Sequence, residues 1–471
     1  MRRCQRMAQV FALIVGNRGF FPDSLAAAGR ERMIRVLEEE GFEVVCPSPE
    51  DTKLGTVETW EDAKKCAALF RAHADRIDGV IVTLPNFGDE KGVANTLRLS
   101  GLQVPVLVHA FPDDPEHLDL AGRGDAFCGK ISVCNNLVQF GIPFSLTRFH
   151  TVWPEEESFR EDLRWFAQVC RIMKGLKNLK IGAIGARPGA FNTVRFSEKI
   201  LETYGISVET IDLSEIFAAM GKVPEEEAKK KLEEIRAYCD VSAVPEDKLF
   251  TMARFALVVE RWMAENDIRA TAIQCWTSME YNLGITPCAV MSMMGEKLMP
   301  SACEVDVAGA LSMYILRLAS NQPSALVDWN NNFGNDPEKC VLFHCGNYPR
   351  SVFAKMEMRY ADVIGATVGT ENAYGSCRGN IRPGPFTFLR LSTDDLRGKV
   401  KAYVGEGEIT QDVAKTFGAW GVARVPRLQD LLQFICKNGF EHHVAINLSQ
   451  VAQAVREALA TYLGVEVYHH F

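Results

Sequence analysis

Short runs of wholly apolar residues alternate with stretches of helical spacing through the N-terminal part of the chain. VFALIVG (residues 10–16) reads as a continuous buried strand, followed by helical spacing over 26–40 and a second strand in GFEVVCP (41–47). Helical spacing returns over 60–74, then DGVIVTLP (78–85) and VPVLVHAF (104–111) read as strands three and four. Strands apolar on both sides, joined by amphipathic helices, predict a parallel sheet covered on both faces. A second unit of the same kind opens at Leu179, with a strand in LKIGAIGARPGAF, a helix predicted over 192–203 and a strand in GISVETIDL. Residues 224–239 predict a charged, solvated helix with Pro224 at its first position. ATAIQCWTSME (270–280) reads as a strand ending in a polar turn, the place where open α/β sheets present binding residues.

The texture changes near Phe343. Glycine, arginine and proline rise in YGSCRGNIRPGPFTFLRL, short alternating strands such as KVKAYVGEGEI follow, and helices return over 428–436 and 448–463. The expected fold class is α/β. Two doubly wound Rossmann- or flavodoxin-like α/β domains (1–175 and 176–345) precede a C-terminal β-rich, barrel-like domain (346–471).

At 471 residues the chain exceeds one compact core, and 47% apolar with 24% charged residues is ordinary globular composition. A net charge of −8, with no basic block longer than Lys229–Lys230–Lys231, argues against nucleic acid as a partner. The fourteen cysteines include no C-x-x-C pair; Cys66, Cys170, Cys288 and Cys436 read as small buried hydrophobes. Reduced thiols and no secretory signal predict a cytoplasmic protein. Residues 8–16 are too short to span a bilayer, and Met7 is a candidate natural start with six residues of extension before it. Neither GNRGFF nor the spacing of Gly182, Gly185 and Gly189 fits a dinucleotide fingerprint, so no nucleotide cofactor is expected.

Glu304, Asp328, His344 and His443 stand out within SACEVDVAGALSMY, SALVDWNNNF, VLFHCGN and NGFEHHVAIN. Each is set among small or apolar residues, where a bare charge costs several kcal/mol. Two carboxylates and two imidazoles so placed suit a divalent cation, and an oxygen-rich set fits Mn²⁺ or Mg²⁺ better than Zn²⁺. Asp306 reads as the cap of the helix predicted over 307–317. His344 alone reads equally as a satisfied core histidine, and one of His442 and His443 must face any nearby cavity.

The series E-V-D-V-A-G-A-L, L-V-D-W, F-H-C-G and E-H-H-V resembles the L-fucose/L-arabinose isomerase family, most clearly across 274–447. The resemblance implies an aldose–ketose isomerase with two α/β domains and a β-rich C-terminal domain, using Mn²⁺, with Co²⁺ or Mg²⁺ also acceptable. By position, Glu304, Asp328 and His443 match the family's metal-binding acids and late histidine, and His344 matches the additional histidine of the arabinose branch. It implies too a homo-trimer or homo-hexamer whose active sites are completed by neighbouring subunits.

The expected reaction moves a proton between C2 and C1 of a sugar through a cis-enediol, with Glu304 and Asp328 sharing acid and base work. Gln274, Trp276 and Asn331 are candidate sugar-binding residues, with Trp276 equally readable as core. Arg378 and Arg382 flank a Gly/Pro-rich turn; they read as surface residues or as readers of an anionic substituent such as a carboxylate, sulfonate or phosphate. Competing readings are an isomerase of a modified anionic hexose, a sugar epimerase, and a non-catalytic sugar-binding protein.

Overall fold

The computed structural model describes residues 8–471, so the candidate start at Met7 lies outside the described residues. The chain forms two compact units. The first holds the described residues up to Lys174 together with Glu457–Gly464; the second holds Gly175–Arg456 with Val465–Phe471.

The first unit carries a parallel sheet of β1 (Val10–Val15), β2 (Glu43–Val45), β3 (Ile77–Leu84), β4 (Val106–Ala110) and β5 (Ser145–Leu146), in the order β2-β1-β3-β4-β5. The two-residue period of β1 explains its double burial. Val10, Ala12 and Ile14 join one core with Phe70, Val93 and Val133, while Phe11, Leu13 and Val15 join another with Met33, Leu163 and Phe166. Helices therefore cover both faces, as the unbroken apolar runs predict.

The second unit has two sheets. β6 (Leu179–Ile184), β7 (Ile206–Ile211), β8 (Ala270–Ile273) and β9 (Ser301–Ala302) form a four-stranded parallel sheet ordered β7-β6-β8-β9. The helix expected over 192–203 is instead a single 3₁₀ turn, Asn192–Val194, and a short helix, Glu198–Thr203. The break follows from capping: the Ser197 side chain accepts from the Ile200 amide and starts a new helix.

The remaining strands are β10 (Ser324–Asn332), β11 (Lys339–His344), β12 (Phe353–Tyr360), β13 (Tyr374–Ile381), β14 (Gly384–Asp394), β15 (Lys399–Ile409), β16 (Ala419–Arg424), β17 (His443–Asn447) and β18 (Glu466–His470). They form one nine-stranded sheet ordered β12-β13-β16-β11-β10-β17-β14-β15-β18. An additional antiparallel pairing of β15 with β16 closes six of these strands into a ring. β10 and β11, which precede residue 345, belong to this sheet.

Cys66, Cys170 and Cys288 are buried as expected, but Cys436 is exposed. It lies on the helix Leu428–Lys437, which turns Leu428, Leu431 and Ile435 inward and leaves Cys436 off that stripe. No helix of the described residues is long and apolar enough to cross a membrane.

Candidate metal and active site

Strand pairing brings the predicted acids and histidines together. Asp328 on β10 sits opposite His443 on β17 and opposite Phe343 on β11, whose neighbour His344 ends that strand. Glu304 arrives from the other sheet. It follows β9 in a tight turn where Glu304 and Val305 both take left-handed backbone, with φ of 55° and 56°. A helix, Val307–Ser320, starts immediately after.

His443 Nε2 lies 3.8 Å from Glu304 Oε2 and 3.5 Å from Asp328 Oδ1, and His344 Nε2 lies 3.7 Å from Glu304 Oε2. These separations exceed a hydrogen bond but approach the ~3 Å edge of an octahedral shell with bonds of about 2.1 Å. Glu304 Oε2 and Asp328 Oδ1 are buried without a hydrogen-bond partner. Two orphaned carboxylate oxygens facing imidazole nitrogens are what a cation site requires, so the donor set fits a divalent ion.

Electrostatics point the same way. Burial pushes the Glu304 carboxyl up to about 7, with the neighbouring Asp328 adding to the rise and His443 opposing it. Burial likewise pushes Asp328 up to about 6. Burial would lower His443, but its hydrogen bond to Asp306 and the surrounding carboxylates raise it above the usual histidine range. Buried carboxylates raised in this way are stabilised by a positive charge placed beside them.

Behind His443 stands a relay that the sequence reading missed. Asp306 Oδ2 lies 2.8 Å from His443 Nδ1, so Nδ1–H donates backward and leaves the Nε2 lone pair facing Glu304 and Asp328. Asp306 also caps the helix, as expected, by accepting from the Gly309 amide at 2.8 Å. Arg390, wholly buried on β14, donates to both Asp306 oxygens at 2.5 and 3.0 Å and through Nε to Glu441 at 3.0 Å. Burial alone would raise Asp306, but the Arg390 charge and the His443 bond hold it well below the usual carboxylate range. A signal was present: an arginine inside the apolar strand TFLRLS demands buried partners.

The two histidines flanking this centre differ. His442 is half-exposed and approaches Asp328 at 3.7 Å, so His443 is the inward member of the pair. His344 accepts the Cys345 amide on Nδ1 at 2.9 Å, which places the proton of its neutral ring on Nε2, toward Glu304. Ligation through that nitrogen requires the ring to exchange tautomers.

The other candidates are distributed unequally. Gln274 is used at both ends: Oε1 accepts from the Ala186 amide at 2.8 Å and Nε2 donates to Trp276 O at 3.0 Å, holding the loop after β6. That loop carries Phe191, a residue the sequence reading passed over. Its ring centroid lies 5.0 Å from Trp276 and 5.9 Å from His443. Trp276 packs against Ala361, Ile364 and Val368 yet keeps its Nε1 unpartnered. Asn331 and Arg382 are exposed, and Arg378 is ion-paired to Asp362.

Residues 12–177 match the model of the fucose/sulfoquinovose isomerase N-terminal domain, and residues 342–470 match that of the L-fucose isomerase C-terminal domain. The chain belongs to the fucose isomerase-like family. This family member is an aldose–ketose isomerase. It is similar to three relatives each named sulfoquinovose isomerase. The one from Alkalicoccus urumqiensis is 27% identical over 310 residues, covering 64% of this chain and 68% of its own. Those from Priestia aryabhattai and Clostridium sp. (strain MSTE9) are 25% and 26% identical over 332 and 348 residues, covering 70% and 72% of this chain and 71% and 72% of theirs.

Proposed function

We propose that this isomerase acts on a sulfonated aldohexose of the sulfoquinovose type, in the cytoplasm, as a homo-oligomer using Mn²⁺. The chemical part of this reading rests on His443, which groups with Glu304 and His344 on one side and with Asp328 and His442 on the other, and on the orphaned oxygens of Glu304 and Asp328. The names of the relatives support the substrate class. Glu304, Asp328 and His443 are the proposed ligands, with His344 as a further donor after tautomer exchange. Co²⁺ and Mg²⁺ suit the same donors. The order of domains follows the family; the change of sheet at β6 supports the boundary near 175/176, whereas β10 and β11 carry the β-rich sheet back across the expected boundary at 345/346.

A bound divalent ion supplies Lewis-acid stabilisation of the charge that develops on the sugar's O1 and O2. Burial raises Glu304 and Asp328 toward neutrality in the metal-free site; with the ion bound both would stand as carboxylates, and one of them can serve as the base. One carboxylate takes the proton from C2 as the C1–C2 enediol forms, and a proton is delivered to C1 while the hydroxyl proton passes from O2 to O1. Phe191 and Trp276 wall the site with apolar surface and limit water. Asp306 and Arg390 hold the His443 ring in one tautomer throughout.

A sulfonate needs a cation. Arg378 is engaged by Asp362, whereas Arg187 and Arg195, on the loop that carries Phe191, have no carboxylate partner among the described residues. Both line a cavity of ≈ 870 Å³ together with Val305 and Glu441, which adjoin the centre in sequence. Arg187 and Arg195 are the proposed readers of the anion, with Arg382 a more exposed alternative.

The test is an aldose panel that includes sulfoquinovose and L-fucose, run on EDTA-stripped protein with and without Mn²⁺ and read as ketose formed. Turnover of the sulfonated sugar, restored by Mn²⁺ and lost in Glu304→Gln, is expected. Turnover confined to neutral sugars overturns the substrate; turnover indifferent to metal overturns the site.

A further inference from the structure

The Glu304 carboxylate has two unlike faces. Oε2 looks toward the His344 and His443 imidazoles, while Oε1 accepts a hydrogen bond from Cys275 Sγ at 3.4 Å. Cys303, the residue before Glu304, completes this second face: the two sulfurs and a Glu304 oxygen all lie within 4.8 Å of one another. All three side chains are buried. A third buried thiol, Cys288, neighbours Cys303 and helps hold its thiol well above the usual range. The three groups come from two places in the parallel sheet, the end of β8 and the turn after β9, and the left-handed backbone at Glu304 swings the carboxylate between them.

Thiols and carboxylates sort cations by softness. Oxygen and imidazole donors accept Mn²⁺ or Mg²⁺, whereas a pair of thiolates selects thiophilic ions such as Zn²⁺ or Cd²⁺. Two sulfurs and one carboxylate oxygen at mutual ligand spacing are three of the four donors a tetrahedral ion takes. We infer that Cys275, Cys303 and Glu304 form a second cation site, specific for thiophilic divalent ions, which shares Glu304 with the isomerase centre. Binding breaks the two S–H bonds, forms two metal–sulfur bonds and passes two protons to the buffer. Because one carboxylate serves both faces, an ion on the sulfur side draws Glu304 from the imidazole side and slows isomerisation.

The reading of the sulfur face does not rest on the identity of the sugar, and the two are told apart by separate readouts. Cd²⁺ is titrated into the Mn²⁺-loaded enzyme while the near-ultraviolet thiolate-to-cadmium band is followed. The expected result is a saturable band that is lost in Cys275→Ala and in Cys303→Ala and kept in Cys128→Ala, a change at an exposed cysteine outside both sites. Thermal melting checks that each variant is folded. Where the alanine variants do not fold, cadmium NMR of the wild-type enzyme decides, since sulfur ligation shifts the resonance far from that of an all-oxygen and nitrogen shell. No band at excess Cd²⁺, a band undiminished in folded Cys275→Ala, or a resonance without sulfur ligation overturns the site. Loss of turnover or of Mn²⁺ binding in the untreated enzyme bears on the isomerase centre alone.

Discussion

Nδ1 of His443 stands 2.8 Å from Oδ2 of Asp306, and Arg390 grips that same carboxylate from behind with two nitrogens. The pair fixes which face of the imidazole meets Glu304 and Asp328. Asp306 bonds His443, Arg390 and the Gly309 amide, and its charge also acts at a distance to raise the Glu304 carboxyl.

Asp306→Asn keeps the shape of the side chain and removes the charge that sets the His443 tautomer. Mn²⁺ affinity is expected to fall by about 10- to 100-fold, the usual cost of losing a carboxylate behind a ligating histidine. Calorimetric titration of the stripped protein measures it. Affinity unchanged within error would mean that His443 does not ligate or needs no orientation.

Arg390→Met leaves Asp306 and Glu441 buried without their shared cation. Breaking a buried ionic network from one side costs ~3–5 kcal/mol. Denaturant unfolding should register a loss of that order, and Arg390→Lys should recover little of it, because an ammonium cannot reach both carboxylates with the guanidinium fork.

The fold and the centre were legible to different depths. β1, wholly apolar, and β3, apolar but for Asp78 and Thr83, read as strands covered on both faces, and so they are. Glu304, Asp328, His344 and His443 were visible because a polar group in an apolar run needs a reason. The same reasoning applied to Arg390 would have exposed the relay. Phe191 could not be found this way: an aromatic in a loop carries no signal until tertiary packing sets it beside Trp276 and His443. The break before Ser197 was hidden for a similar reason, since helical spacing ran on across a residue that the fold uses as a cap.

The raised carboxyls make both metal binding and metal-free stability depend on pH. Glu304 at about 7 and Asp328 at about 6 hold protons in the folded, metal-free protein that they release when unfolded, where they titrate near 4.5 and 3.8. Between those limits the folded state binds more protons, so its stability falls as pH rises. His443, raised in the fold, adds in the same direction: its contribution is present below 6.5 and fades as pH climbs through its folded value. Buried His109, His344 and His442, all lowered by burial, pull the other way below 6.5, so the test is a difference: between pH 5.5 and pH 8 the metal-free wild type should lose more melting temperature, or gain less, than Glu304→Gln. Mn²⁺ must displace the same protons, so its affinity should drop as pH falls below about 7, with proton uptake by buffer. The same pH dependence in wild type and Glu304→Gln would show that Glu304 is already ionised in the empty site.

Arg187 offers the sharpest test of the substrate. Its guanidinium bonds only the Pro188 carbonyl at 3.0 Å and borders the cavity beside Val305 and Glu441. A charge-assisted pair with a sulfonate is worth about 1.5–3 kcal/mol, so Arg187→Gln should raise KM for the sulfonated sugar by ~10- to 100-fold. The proton transfer takes place at C1 and C2, at the other end of the sugar from the anion, so kcat should change much less. A neutral aldose turned over by the same enzyme should keep its KM, because it never made the contact. If both sugars lose equally, Arg187 supports the loop and not the anion; if neither does, the sulfonate is read elsewhere, and Arg195 and Arg382 become the next substitutions.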